Sequence, residues 1–388
     1  MSFLLGIIYL SFISLGLPDA LLGSAWPNMY PEFQVPVSYA GMISMTIAFG
    51  TILSSLQSDR LTKRFGTGKV TAASVGITAL ALWGFSVSHS FLQLCLWAIP
   101  YGLGAGSVDA SLNNYVALHY ASKHMSWLHC FWGVGTIVSP FIMSYALANR
   151  TWNSGYRMVG LIQLGIALLL LVTLPVWNVN QSTSREDGKS VGLTGALKIK
   201  GVPFLLLGFF AYCAAEATTM QWASTYFVEV KGIAADRAAG FAALFYIGIT
   251  AGRFISGIIT DRLGDRKMIL LGTGILVCGI FILCLPVKSY TVAFAAFLVI
   301  GLGCAPIYPC IIHSTPYNFG AENSGAIIGI QMASAYVGST FIPPLFGLLG
   351  NAVSFSILPV YLLGFVVLMI TMVETTFRIT RKEKVVKM

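Results

Sequence analysis

Residues 239–264 read AGFAALFYIGITAGRFISGIITDRLG, and residues 40–66 read AGMISMTIAFGTILSSLQSDRLTKRFG. Aligned on their closing glycines, Gly66 and Gly264, the two stretches also match Gly50 with Gly248, Leu61 with Ile259 and Arg64 with Arg262. Each is an apolar run, long enough to cross a bilayer, that closes on charged residues. Internal repeats of this kind mark secondary transporters built as two bundles around a site at the membrane midplane. The charged ends make chance similarity between two apolar runs a poor explanation.

Composition points the same way. The chain has 388 residues, 56% hydrophobic and only 10% charged, whereas a soluble domain carries about 25% charged residues. Such a chain cannot cover a water-facing surface, so bilayer is its solvent. A spanning helix needs roughly 20 mostly apolar residues, and twelve such segments account for nearly the whole length. The exception is the polar stretch Asn178 to Lys200, with NQSTSREDGKS near its start. The expected architecture is therefore an all-α membrane protein: twelve transmembrane helices in two pseudo-symmetric six-helix bundles, 1–177 and 201–377. A cytoplasmic linker, 178–200, joins them, and a basic cytoplasmic tail, 378–388, follows.

The net charge of +9 does not imply nucleic acid, because most of the Lys and Arg fall in loops on one predicted side. That bias follows the positive-inside rule and predicts a multi-pass protein of the inner (plasma) membrane with both termini in the cytoplasm. The tail (Arg378, Arg381, Lys382, Lys384, Lys387) either meets anionic lipid head groups or is simply solvated. The N-terminus, MSFLLGIIYL, has no basic lead-in and reads as a retained first span rather than a cleaved signal. Seven cysteines, none in a CxxC pair, read as small apolar filler. No nucleophile–base pair or metal-spaced cluster occupies a loop, so neither an enzyme, a cofactor nor a metal is expected.

Three acids interrupt apolar runs: Asp19, Asp109 and Glu216. An ionised carboxylate in hydrocarbon is costly and by default marks an ion or substrate pathway. Burial favours the neutral form of a carboxyl, while water or a paired cation favours the charged form. These acids are therefore candidates for cation coupling; for Asp19 and Asp109 a permanent hydrogen-bonded packing role is the alternative, and for Glu216 a static pair with Arg253 or a bond to a substrate hydroxyl. Asn113 follows Asp109 by one helical turn and shares its face. Pro18 directly precedes Asp19, and the prolines at 100, 140, 306 and 309 also lie within spans, where they free carbonyls toward a cavity. Helical spacing groups further candidates for substrate binding: Trp26 seven residues after Asp19, His129 with Trp132 and Thr136, Tyr246 with Thr250 and Arg253, and Gln331 with Ser334. Aromatic faces and amides suit sugars, and packing is the competing reading for each.

The run from Gly257 to Lys267, GIITDRLGDRK, resembles the loop signature of the major facilitator superfamily, G-x-L-x-D-R-x-G-x-R. In the first half Leu61, Arg64 and Gly66 fit, while Asp59 and Lys63 stand where Gly and Asp are expected. Span four, GLGAGSVDASLNNYV, and span seven, YCAAEATTMQWASTYF, are similar to the fucose–proton symporter and glucose/galactose transporter branch. There Asp109 falls on the acid position, usually Glu, and Asp19 on the acid of span one; the Pro after Asn is Asn114 here. The resemblance implies alternating access, coupling to a proton or sodium, and uptake of a monosaccharide or derivative by a monomer. It also implies a gating loop made by Arg64, Gly66, Gly257, Asp261, Arg262 and Gly264. Two alternatives stay open: a proton-driven exporter of drugs or metabolites, and a transport-inactive membrane sensor or scaffold.

Overall fold

A computed structural model describes residues 3–181, 191–232, 235–285 and 290–386. Among these residues the regular structure is helical. In chain order the helices are α1 (Phe3–Gly16), α2 (Leu21–Glu32), α3 (Ala40–Phe65), α4 (Thr67–Ser86), α5 (Phe91–His119), α6 (Ser122–Asn149), α7 (Trp152–Val172) and α8 (Leu174–Gln181). They continue with α9 (Gly192–Lys198), α10 (Val202–Glu229), α11 (Ala235–Leu263), α12 (Asp265–Cys284), α13 (Tyr290–Cys304), α14 (Ile307–Phe319), α15 (Ala321–Ala352) and α16 (Leu358–Val386). Of the expected linker 178–200, both ends carry short helices, and residues 182–190 lie outside the described residues. Lys387 of the basic tail also lies outside them.

Eleven stretches of the described residues are long and apolar enough to cross a membrane, and α11, 29 residues long, stands where the eighth span is expected. Large apolar side chains such as Phe49, Leu92, Phe141, Phe254 and Leu348 are exposed, which hydrocarbon tolerates and water does not.

Cα packing divides the chain into two compact units, Met1–Tyr115 with Leu128–Ser190, and Val116–Trp127 with Val191–Met388. The α5–α6 turn therefore belongs to the second unit, where a boundary at 177 would put it in the first. In the first unit α4 lies along α7, and α1 and α2 also pack on α7. Leu17, Trp26, Met29, Ile43, Phe85, Trp152 and Tyr156 form part of its core. In the second unit α10 packs on α15 and α16, α13 on α11 and α12, and α14 on α12 and α15.

Of the spans that prolines were expected to bend, spans one and ten are broken. Span one stops at Gly16 and restarts at Leu21, because Pro18 has no N–H to donate and its ring excludes continuous helix; Leu21 N instead donates to Pro18 O at 3.1 Å. Span ten breaks at Ala305–Pro306 between α13 and α14. Pro100 and Pro140, by contrast, lie inside continuous helices.

The sequence repeat has a matching packing. A Cβ on Gly50 would stand 3.2 Å from the Gly102 Cα, and one on Gly248 would stand 3.3 Å from the Gly301 Cα. So the aligned glycines each pack backbone to backbone on a glycine of the next-but-one span, and small residues are what permit that approach. The atoms facing Gly102 and Gly301 are backbone carbonyls of Ile47 and Phe245, which cannot swing aside. Gly102→Leu and Gly301→Leu should each destabilise the protein, on the scale of about 1–3 kcal/mol for overpacking. Gly76→Ala, inside α4 where the new Cβ meets open space, should not lower the thermal midpoint in detergent and should raise it slightly, by the better helix propensity of alanine.

Candidate functional site

In the first unit the break in span one carries the site. Asp19 sits in the turn between α1 and α2 and is exposed. Its Oδ2 accepts from Trp132 Nε1 at 2.8 Å and its Oδ1 from the Tyr101 hydroxyl at 3.1 Å. Trp132 is brought there by a close crossing of α1 and α6, where a Cβ on Gly16 would overlap the Trp132 carbonyl and one on Gly135 the Ile13 carbonyl. The carboxylate is thus gripped by two neutral donors from α5 and α6.

Asp109 is different: it is 4% exposed and lies in a buried relay. Asn113 Nδ2 bonds Asp109 Oδ1 at 2.8 Å, and Asn113 Oδ1 faces His129 Nε2 at 3.0 Å. The Phe12 ring meets the His129 ring edge-on. Asp109, Asn113 and His129 therefore come together, but as an interior network, while Trp132, three residues after His129, turns to Asp19. Trp26 joins neither group. Its ring is in the core and its Nε1 donates to Val37 O at 2.7 Å.

In the second unit Glu216 and Arg253 form an ion pair, Arg253 Nη2 to Glu216 Oε1 at 3.3 Å, with the two side chains 13% and 4% exposed. Tyr246 is half-buried two turns before Arg253 on α11. Gln331 is fully buried and accepts from Thr315 Oγ1 at 3.1 Å; its Nε2 has no hydrogen-bond partner among the described residues.

The gating-loop residues occupy two helix–glycine–helix turns. Gly66 (φ 84°) ends α3 and Gly264 (φ 77°) ends α11, a backbone region open to glycine and strained for other residues. Gly320 makes a third such turn, at φ 90° between α14 and α15. Asp261 accepts from Lys123 Nζ at 2.9 Å, and Gly257 lies under the Trp127 indole. Arg262 and Arg64 are exposed, the latter 5.2 Å from the Phe65 ring centroid. In the degenerate first copy, Asp59 and Lys63 pair with each other at 3.1 Å.

Tyr101, Ser122, Lys123, Asp265 and His313 were not singled out from the sequence. A tyrosine in an apolar span carries no signal of what its hydroxyl meets. His313, at the polar end of span ten, had only its residue type to recommend it.

This arrangement sits on a known scaffold. The family profile of the Major Facilitator Superfamily matches residues 8–339 and 237–387. The chain belongs to that superfamily and is a multi-pass membrane transporter, not an enzyme. It is similar to the glucose/mannose transporter GlcP of Bacillus subtilis, 21% identical over 314 residues, 78% of this chain and 77% of that protein. It is also similar to Bypass of stop codon protein 6 of Saccharomyces cerevisiae, 23% identical over 285 residues, 66% of this chain. The match spans 56% of that yeast protein's length. Its fold matches FucP, the fucose:proton symporter of E. coli, with a TM-score of 0.80 at 16% identity, covering 96% of this chain and 98% of that one.

The ion pair yields a direct test. Removing one partner of a buried pair leaves an uncompensated charge and destabilises by about 3–5 kcal/mol, while replacing both with apolar groups is near neutral. Arg253→Met should lower the thermal midpoint sharply, and Arg253→Met with Glu216→Leu should restore most of the loss. Equal midpoints for the single and double variants would mean that the pair does not act as a unit.

Proposed function

We propose that the chain carries a small polar solute, a monosaccharide or derivative, into the cell by alternating access, driven by a cation gradient. Asp19 is the coupling group. The observation that carries this reading is its setting: an exposed carboxylate at a helix break, held by the neutral donors Trp132 and Tyr101. Two neutral donors hold a carboxylate in place in either protonation state, because each oxygen keeps a lone pair for a proton or ion. Glu216 is already matched by Arg253, so it serves as a fixed electrostatic element of the second unit. Asp109 acts through its relay to Asn113 and His129, which sets the position of α5 against α6.

The coupling ion is read as a proton from the likeness to FucP, a fucose:proton symporter, with sodium, which carbonyls freed at the break would also suit, as the alternative. The names of the similar proteins support the substrate class: FucP is a fucose:proton symporter and GlcP a glucose/mannose transporter. Trp132, beside Asp19, supplies an aromatic face against which a sugar ring packs. The working form is a monomer with both termini in the cytoplasm, following the charge bias of the loops.

The test is uptake into proteoliposomes of labelled glucose, mannose and fucose under an imposed proton gradient. The wild type should concentrate at least one of them, and Asp19→Asn should lose accumulation at least tenfold while keeping solute exchange at equal pH on both sides. Accumulation by Asp19→Asn equal to wild type would end the coupling assignment. Uptake that follows a sodium gradient alone would replace the proton, and net efflux under the same gradient would reverse the direction.

Tyr101→Phe removes one of the two neutral donors and leaves the ring. The expected result is retained transport with a displaced pH profile, whereas an unchanged profile would show that the Tyr101 hydroxyl does not tune Asp19.

A further inference from the structure

A second titratable cluster lies far along the sequence from Asp19, at the starts of α6 and α12, the end of α11 and the middle of α14, all within the second unit. His313 Nδ1 stands 2.7 Å from Asp265 Oδ2, and His313 Nε2 stands 3.1 Å from the Tyr120 backbone oxygen. Asp265 Oδ1 accepts from the Ser122 hydroxyl. A backbone carbonyl can only accept, and so can an ionised carboxylate. Both imidazole nitrogens face acceptors, so the pair of hydrogen bonds requires that Asp265 and His313 hold a proton between them beyond the one on neutral imidazole. Without it a single ring hydrogen serves two acceptors, and one contact becomes lone pair against lone pair.

The surrounding charges agree. Asp261 on α11 is held by the Lys123 ammonium at 2.9 Å and the Lys123 backbone N–H at 3.3 Å. Arg266 on α12 is taken by Glu374 of α16, at 3.0 and 2.5 Å. His124 lies on the first turn of α6, its ring against Tyr120 and Trp127. Cys310 is one turn earlier on α14, and α15 presents the neutral Gln331 to Thr315. Asp261 pairs with Lys123 and Arg266 with Glu374, and Arg262 and Lys267 are exposed, so the cation in contact with Asp265 is an imidazolium on His313.

We propose that His313 and Asp265 form a proton-binding site, separate from Asp19, that fastens the α5–α6 turn to α12 and α14 when loaded and releases it when empty. The residues fastened are those of Tyr120 to Lys123, through one backbone oxygen, one hydroxyl and the Lys123 pair beside them. Acid on that side of the membrane holds the turn, and alkali frees it. The site gives the protein a response to pH that does not pass through the coupling group.

Hydrogen exchange of the amides in Tyr120–Trp127, read by mass spectrometry on the full chain in nanodiscs and corrected for intrinsic chemistry, tests this without a solute. In the wild type, protection should fall with rising pH, by up to about tenfold per pH unit for one proton. His313→Gln and Asp265→Asn should each show low protection that no longer follows pH, and His313→Arg should keep it high across the range. Asp19→Asn should respond as the wild type does. Constant protection in the wild type across pH, or a wild-type response in either His313→Gln or Asp265→Asn, would overturn the proposal. Loss of the response in Asp19→Asn would overturn the separation of the two sites. Failure of sugar accumulation in liposomes would leave this result standing.

Discussion

A carboxylate in a membrane protein needs partners that tolerate it, and Asp19 has an indole N–H and a phenol O–H from two different helices. Three features of the first unit deliver those two donors. Pro18 breaks the span so that the side chain leaves the helix wall. Gly16 and Gly135 let α1 and α6 approach until Trp132 reaches the break. Tyr101 comes from α5, whose own position rests on the glycine contacts with α3. Neutral donors are the significant choice. In the other unit Glu216 instead has a cationic partner, Arg253, at 3.3 Å.

The two units thus carry the same packing device and different electrostatics. Gly50 on Gly102 and Gly248 on Gly301 repeat one backbone crossing, and Gly66 and Gly264 repeat one left-handed turn. The acids do not repeat. Asp19 lies in a broken helix, Glu216 in the continuous α10, and Asp109 in a relay inside α5. Among the described residues Glu216 stands in an ion pair with Arg253, while Asp19 is held by two neutral donors.

The fold was legible because it depends on properties a sequence displays directly: apolar length, the 198-residue offset between matched glycines, and a charged loop signature. The broken first span was legible too, since Pro18 beside an acid has one structural consequence. Side-chain destinations were less so. Trp26 was expected near Asp19 on a straight helix, but the break at residues 17–20 resets the register and turns it into the core, onto Val37. His129 and Trp132 share one helical stripe yet go to different partners, Asn113 and Asp19. Their separation depends on neighbouring helices that periodicity does not describe. The Glu216–Arg253 pair was one of three readings open for Glu216, beside cation coupling and a bond to a substrate hydroxyl, and the two side chains do meet, at 3.3 Å. Gln331 satisfies Thr315 inside the bundle, a role that its polar type in an apolar span does not distinguish from substrate binding.

The central claim is that the Asp19 carboxyl takes up and gives off a proton as part of the transport cycle. Infrared difference spectroscopy of the protein in lipid, between acidic and alkaline states and with isotope-labelled aspartate to mark the band, reads that event directly. The account predicts a protonated-carboxyl band that appears on acidification and is absent in Asp19→Asn. A spectrum in which no aspartate band changes, or in which Asp19→Asn keeps the whole of it, would contradict the claim.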